Sequence, residues 1–342
     1  MITYKDLSRH AKALLEFCEY PAVEYKVKFS ILDVPYEDRA LSLLRKAFLE
    51  SDIVEEMAQT QDIYGGWGKF QSKDYSVKAK IPTSGVGIER CLYIGLTVED
   101  RDILFLAEEY LKDLLLGTGR EIVRGKNERA NPWWRAKVCN ALEAVTPYSA
   151  LCDETWRQWL FIADRAYEDG EYSYERDKAA QHEVFATRES RLVPMQSELL
   201  LKRRAEISDD LEDAMLRHLG GLASENGYFW DKTPGSLPEN FVFNKTRRWF
   251  KTFNYINQFR GSRLYLEHAV DWLMENVRED GVWDWGTQVK DPWGYFGYFS
   301  CNRNYKHNRV VDCTVEILDF LKHYIDNNGA QRADLANKEG AE

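Results

Sequence analysis

The chain has 342 residues, enough for one large core or two ordinary ones. Its 44% hydrophobic and 30% charged residues exclude a disordered chain, and no run nears the roughly 18 apolar residues of a membrane span. A formal net charge of -10 removes the dominant basic face that general nucleic-acid binding requires.

Helical periodicity runs through the whole chain, and no useful stretch alternates with period two. The first residues, Met1 to Asp6, lead into an amphipathic helix over Asp6–Phe17 and carry no signal-peptide core. Together with six cysteines that lack tight spacing, this leads us to expect a cytoplasmic protein. Pro21 opens an apolar helix (Val23, Val27, Phe29, Ile31, Leu32) that stops at Pro35, and a charged helix follows from Tyr36 to Gln59. It ends in the Gly-rich loop Gln61 to Gly68. A second pair begins after Pro82 with Gly87 to Tyr93 and continues over Glu99–Leu116. A third starts at Pro132, turns near Pro147 and runs from Glu154 to Tyr167, closing in Glu168 to Tyr174. The fourth joins Arg191–Met195 to Asp209–Leu222 and ends in Glu225 to Trp230. The fifth joins Arg248–Phe253 to Ser262–Val277 and ends in Asp280 to Trp283. The sixth apolar helix surrounds Asp312, and the opening helix is left to serve as its partner.

Successive starts are about 50 to 60 residues apart, the size of a helix pair plus a loop that cannot bury its apolar face alone. The apolar member of each pair carries less charge and is expected inside. These readings predict an all-α fold, a closed (α/α)6 barrel spanning residues 1–330 as a single domain, with 331–342 as a polar tail. All long loops then open on one face.

Gln59 followed by Gly65-Gly66-Trp67-Gly68, together with Asn226 to Trp230 and Asp280-Gly281-Val282-Trp283, resembles the repeat of the terpenoid cyclase and protein prenyltransferase superfamily. In that family a Gln, a short gap and Gly-x-Trp join the outer and inner helices of an α/α toroid. The resemblance implies a terpene-cyclase-like enzyme that uses general-acid chemistry on an anionic prenyl or polycyclic substrate in the barrel mouth. The Asp-x-Asp-Asp acid of the class II cyclases has no counterpart here. Asn308 to Cys313 resembles the context of the prenyltransferase zinc-binding Asp, with Cys313 adjacent to Asp312. No cofactor is implied, and a magnesium or zinc requirement stays open.

Each inner helix begins with cations: Lys26 and Lys28, Arg90, Arg135 and Lys137, Arg191, Arg247, Arg248 and Lys251, then Lys306 and Arg309. Cations gathered at one face of an acidic protein would focus a small anionic substrate there, helped by helix N-termini. The plainer reading pairs them with Glu24, Glu89, Glu189 and Asp312. Acids on inner helices (Asp312, Glu316, Glu89, Glu198) and on loops (Asp284, Glu183) are candidate proton donors, because burial among rings raises a carboxyl pKa. Asp312 comes first among them, and its structural alternative is an anchor for Arg309. His182 is a loop acid–base candidate. Cys301, His307 and Cys313 are too evenly spaced for a usual zinc site. Asp209-Asp210-Leu211-Glu212-Asp213 matches a diphosphate-binding motif, but directly after Ser208 it reads as the capped start of a helix. Trp133, Trp134 and Trp293 are expected pocket walls, and Trp67 and Trp283 wedges between repeats. Two further classes fit the same residues. One is a carbohydrate-active, uronate-type hydrolase or lyase with Glu89 and Asp312 as its carboxylate pair. The other is a non-catalytic toroid that holds a peptide or partner.

Overall fold

The computed structural model describes residues 2–71, 79–118, 132–186, 194–225, 237–238, 240–242, 246–287, 297–299 and 305–339. Every regular element among them is a helix, so the all-α expectation holds. In chain order the helices are α1 (Tyr4–Phe17), α2 (Pro21–Lys26), α3 (Arg39–Leu49), α4 (Asp52–Thr60), α5 (Ser84–Ile94), α6 (Ile103–Leu116) and α7 (Pro132–Val145). They continue as α8 (Asp153–Ala166), α9 (Tyr174–Phe185), α10 (Pro194–Leu201), α11 (Asp209–Glu225), α12 (Thr246–Ile256), α13 (Arg263–Glu275) and α14 (Lys306–Glu339). No helix among the described residues is long and apolar enough to cross a membrane.

Local chemistry sets most starts and stops. Thr3 and Asp6 form a reciprocal capping box on α1, while Asp38, Thr83 and Ser173 cap α3, α5 and α9 through side-chain oxygens. Prolines open α2, α7 and α10, where the missing N–H is not needed. Ser208 Oγ accepts from Leu211 N at 3.2 Å, so the acidic run from Asp209 is the first turn of a capped helix.

Four elements differ from the sequence expectation. The Tyr36–Gln59 helix is two helices, α3 and α4, broken at Glu50–Ser51, where Ser51 Oγ donates back to Phe48 O at 2.5 Å. α2 runs on into a π-helical turn over Val27–Ile31, which inserts one residue per turn and re-aims the following side chains. His182 and Glu183, expected on a loop, lie in the last turns of α9, a helix that weak apolar periodicity hid. The helical backbone of α14 runs through Glu339, well into the segment expected as a tail.

The chain gathers into two compact units, one of residues Met1–Ile53 with Leu219–Glu342 and one of Val54–His218. In the first, α14 is the central helix. Val310, Val311, Cys313, Val315, Ile317, Leu318, Phe320 and Leu321 are all buried, and α1, α13 and the π turn pack on it. In the second, α7 packs against α5, α6, α8 and α10, and α9 covers α8. The end of α10 is clamped by Arg203, which donates to Glu143 Oε1 at 2.5 Å, Asp153 Oδ1 at 2.8 Å and Ser149 O at 2.9 Å. Glu143 also accepts from Tyr148 N, so this buried pair has its polar atoms satisfied.

The Gly-x-Trp loops repeat atom for atom. Asp62 N donates to Gly66 O and Gly65 N to Asp62 O; Arg278 N donates to Val282 O and Gly281 N to Arg278 O. Gly65 and Gly281 both have positive φ, +84° and +82°, which favours glycine. The indole N–H of each loop tryptophan reaches the carbonyl ten residues earlier, Trp67 to Met57 O at 3.2 Å and Trp283 to Leu273 O at 2.7 Å. The two backbone N–H groups go to hydroxyls on the following helix, Ser84 Oγ of α5 at 2.9 Å and Thr314 Oγ1 of α14 at 3.0 Å. A third, looser copy has Gly170 at φ +82° and Tyr172 in place of the tryptophan. The fourth, Asn226 to Trp230, lies outside the described residues.

Each loop is then seated on a helix of its own unit. A Cβ at Gly65 would collide with the Leu106 carbonyl of α6, and Gln61 Nε2 donates to Gly65 O and to Ile103 O. The bracing glutamine is therefore Gln61, whereas Gln59 is exposed and bonds Glu55 on its own helix. A Cβ at Gly281 would lie 2.9 Å from Ala13 Cβ of α1, and His10 Nδ1 is 2.8 Å from Gly281 O. The opening helix thus plays toward the last loop the part that α6 plays toward the first.

Candidate functional site

In the second unit α5, α7 and α10 each carry an accessible stripe beside their buried residues. On α5 the stripe is Val86, Glu89 and Tyr93; on α7 it is Trp133, Lys137 and Asn140; on α10 it is Glu198 with Lys202 just beyond. Spacings of three, four and seven place each set on one helix face. The stripes meet at Glu198. Its carboxyl pKa is raised, mainly by burial and further by the like charge of Glu89, against the pull of Lys202 and of the hydrogen-bonding Asn140 side chain. Glu198 nevertheless keeps accessible surface, the combination expected of an acid lining a concave space. It makes no ion pair among the described residues. Glu89 is exposed.

The α7 rim carries the other predicted groups. Lys137 Nζ lies 3.6 Å from the Trp133 ring centroid and donates to Gln71 Oε1 at 2.8 Å. Trp134 meets Phe70 edge-on, and Arg135 is half-buried beside them on the same turn. Arg90 instead points into the core, where it pairs with Glu56 at 2.8 Å. Burial works against the Glu56 charge, but Lys80 and Arg90 hold its pKa below the usual range. The plainer reading of Arg90 named Glu89 as its anchor, and the partner is Glu56.

The first unit holds the remaining candidates. Asp312 is buried on α14 and accepts from Phe299 N at 2.8 Å, so it ties a loop to the central helix. Arg309 forks onto Asp284 at 2.6 and 2.9 Å. Burial would raise the Asp284 pKa, but Arg309, the Gly286 N–H and Arg278 together lower it. Glu316 is buried against Arg247, with N–O distances of 2.5 and 3.2 Å. His307 stacks on Phe17 at 4.8 Å and meets Tyr20 edge-on, a packed rim ring. Cys313 is buried and its thiol pushed well up by burial, which suits an inert core thiol. Lys251 is half-buried on α12. The Arg248 side chain, Trp293, Cys301 and Arg191 lie outside the described residues. His182 is exposed on α9, and its neighbour Glu183 lines an outer groove of ≈ 400 Å³ between α8 and α9 with Glu154, Arg157, Gln158, Phe161 and Val184. None of the inner-helix acids lines that groove.

No group of three or more His, Cys, Asp or Glu side chains able to hold a metal occurs among the described residues. Two contributors to the Glu198 site, Asn140 and Lys202, escaped the sequence reading. Both follow from helical projection, Asn140 seven residues after Trp133 and Lys202 four after Glu198. The fold places the chain among all-α proteins. No protein-family model matches it, and comparison with curated proteins and with solved structures returns no match.

Proposed function

We propose that the protein is an enzyme whose general acid is Glu198 and whose complementary base is Glu89. The observation that carries this is the Glu198 carboxyl, held toward its neutral form by burial yet open to an accessible face that it shares with a second carboxylate. A neutral carboxyl can deliver a proton to a substrate, and an exposed carboxylate can collect one afterwards. The substrate reading we favour is a terpene-cyclase-like reaction on an anionic prenyl or polycyclic molecule. In support, Lys137, Arg135 and Lys202 offer charge to an anion, and the loops repeat the Gly-x-Trp pattern. A closed toroid of residues 1–330 belongs to this reading, supported by the seating of α1 on the last loop.

The pairing of one raised and one exposed carboxylate beside a tryptophan favours a second reading, an acid–base hydrolase or lyase acting on acidic sugars. Prenyl diphosphates and acidic oligosaccharides should be screened by thermal shift and turnover, with and without magnesium or zinc. Ligands that bind the folded state raise its melting temperature. With the substrate found, Glu198→Gln should lower turnover by about 10²- to 10⁴-fold while leaving the thermal shift in place. Unchanged turnover in Glu198→Gln would remove Glu198 from the mechanism. Ligand binding without turnover would leave a binding toroid.

A further inference from the structure

The three copies of the glycine turn differ at their tips. In the copy ending at Gly281 the two residues before the glycine are Glu279-Asp280, and in the copy ending at Gly170 they are Glu168-Asp169, all exposed. In the first copy they are Ile63 and Tyr64, which are 88% and 44% exposed. The turn therefore works with an acidic pair at these positions. It is also held rigid. Asp62 Oδ1 accepts from Tyr64 N at 2.9 Å and Gly66 N at 3.1 Å, and Gln61 ties the loop to the start of α6. Where the loop is seated, α6 shows Phe105 and Leu106, 48% and 40% exposed. Further along the same exposed stripe come Glu109, Asp113 and Leu116, at spacings of three and four residues. Asp102 precedes it, and the cations beside it are already paired, Arg101 with Glu55 and Lys112 with Glu108 and Glu109. Four clustered apolar side chains fixed on a rigid turn and helix are the anatomy of an interaction site, not of scattered surface residues.

We propose that this face of the second unit, Ile63, Tyr64, Phe105 and Leu106 with the acidic stripe of α6, docks a basic amphipathic helix of another protein. A helix is the partner because the stripe is itself a helix face, and ridges on one helix pack into grooves on another. Its flanks are basic because Asp102, Glu109 and Asp113 line the stripe, so lysines or arginines beside an apolar row complement them. A second copy of this chain, at a net charge of -10, brings like charge to the same face. An anionic membrane meets the same repulsion.

The probe is a synthetic amphipathic peptide with leucine on one face and lysine on the other, followed by fluorescence anisotropy against the full chain. The double variant Ile63→Ser with Tyr64→Ser, and separately Phe105→Ser, should each bind about tenfold more weakly than the parent. Both leave charge unchanged, so a loss reports the apolar patch. The melting temperature of each variant controls for folding, and the acidic tips of the other copies indicate that the turn tolerates polar residues. Equal affinity in parent and variants overturns the proposal. Equal binding of a leucine–glutamate peptide overturns its charge argument. Two results would overturn it in favour of other occupants. One is binding to phosphatidylcholine vesicles that the double variant loses, and the other is a concentration-dependent dimer that the double variant loses.

Discussion

His10 lies between α1 and the last glycine turn, with Nδ1–H donating to Gly281 O, Nε2 3.2 Å from Arg9 Nη2 and the ring 4.9 Å from Trp283. These partners need a neutral ring, since the one nitrogen donates and the other accepts. Burial lowers its pKa, with Arg9 adding to the effect and the Gly281 carbonyl and Asp6 opposing it. The unfolded chain therefore takes up the proton at a higher pH than the folded one. Stability is complete above the ordinary histidine value of 6.5 and declines as pH falls through it toward the lower folded value. Urea midpoints measured from pH 8 to pH 5 should fall more steeply for the parent than for His10→Gln. Parallel profiles would place the acid sensitivity elsewhere. Asp284 has the opposite task, since its lowered pKa makes its paired, charged form the stabilising one.

The loop-to-helix latch is the unit of repetition. In both full copies one buried hydroxyl accepts the tryptophan N–H and donates onward, Ser84 to Gly68 O at 2.9 Å and Thr314 to Trp283 O at 3.2 Å. Removing it strands the buried tryptophan N–H in both copies, and in the second copy the buried Trp283 carbonyl as well, at a cost of about 1–3 kcal/mol for each unsatisfied group. Ser84→Ala and Thr314→Val should therefore both destabilise, Thr314→Val by more, read as shifts in urea midpoint at constant slope. A neutral outcome at either site would show that its latch contributes nothing. Gly87 belongs to the same device, because a Cβ there would run into the Trp67 ring. The motif on which the family resemblance rests is thus legible in sequence as spacing. Its hydroxyl and its glutamine were not, because Ser84 and Gln61 are recognised only by what they touch.

At the scale of the molecule, the two ends of the chain meet inside one unit. α1 buries Leu7, His10, Ala11 and Leu14, and its Tyr4 hydroxyl bonds Asp326 of α14. Lys322 of α14 pairs with Asp33 at 2.9 Å and Asp326 at 2.7 Å beside the Tyr4 ring. Full burial of a leucine-sized side chain stabilises by about 1.5–3 kcal/mol. A chain lacking residues 1–18 should therefore lose much of the stability of this unit, seen as a lower and broader melting transition by circular dichroism. An unchanged transition would mean that α1 is an ornament on α14 rather than its partner.

By itself the sequence determined the helical class, the turns at Gly65 and Gly281 and the capped identity of the Asp209 run. Each of these is set within a few residues by periodicity, capping or positive φ. It also named Glu198 and Glu89, since acids on sparsely charged helices stand out. Only the tertiary structure decided which charges meet. Arg90 goes to Glu56, Arg309 to Asp284 and Arg247 to Glu316, partners separated by 25 to 69 residues along the chain. It also decided that His182 sits exposed on a helix and that Asp312 secures a loop. The physical reason is range: a hydrogen bond or ion pair acts over a few ångströms, and the helix packing that brings distant residues that close depends on the whole chain.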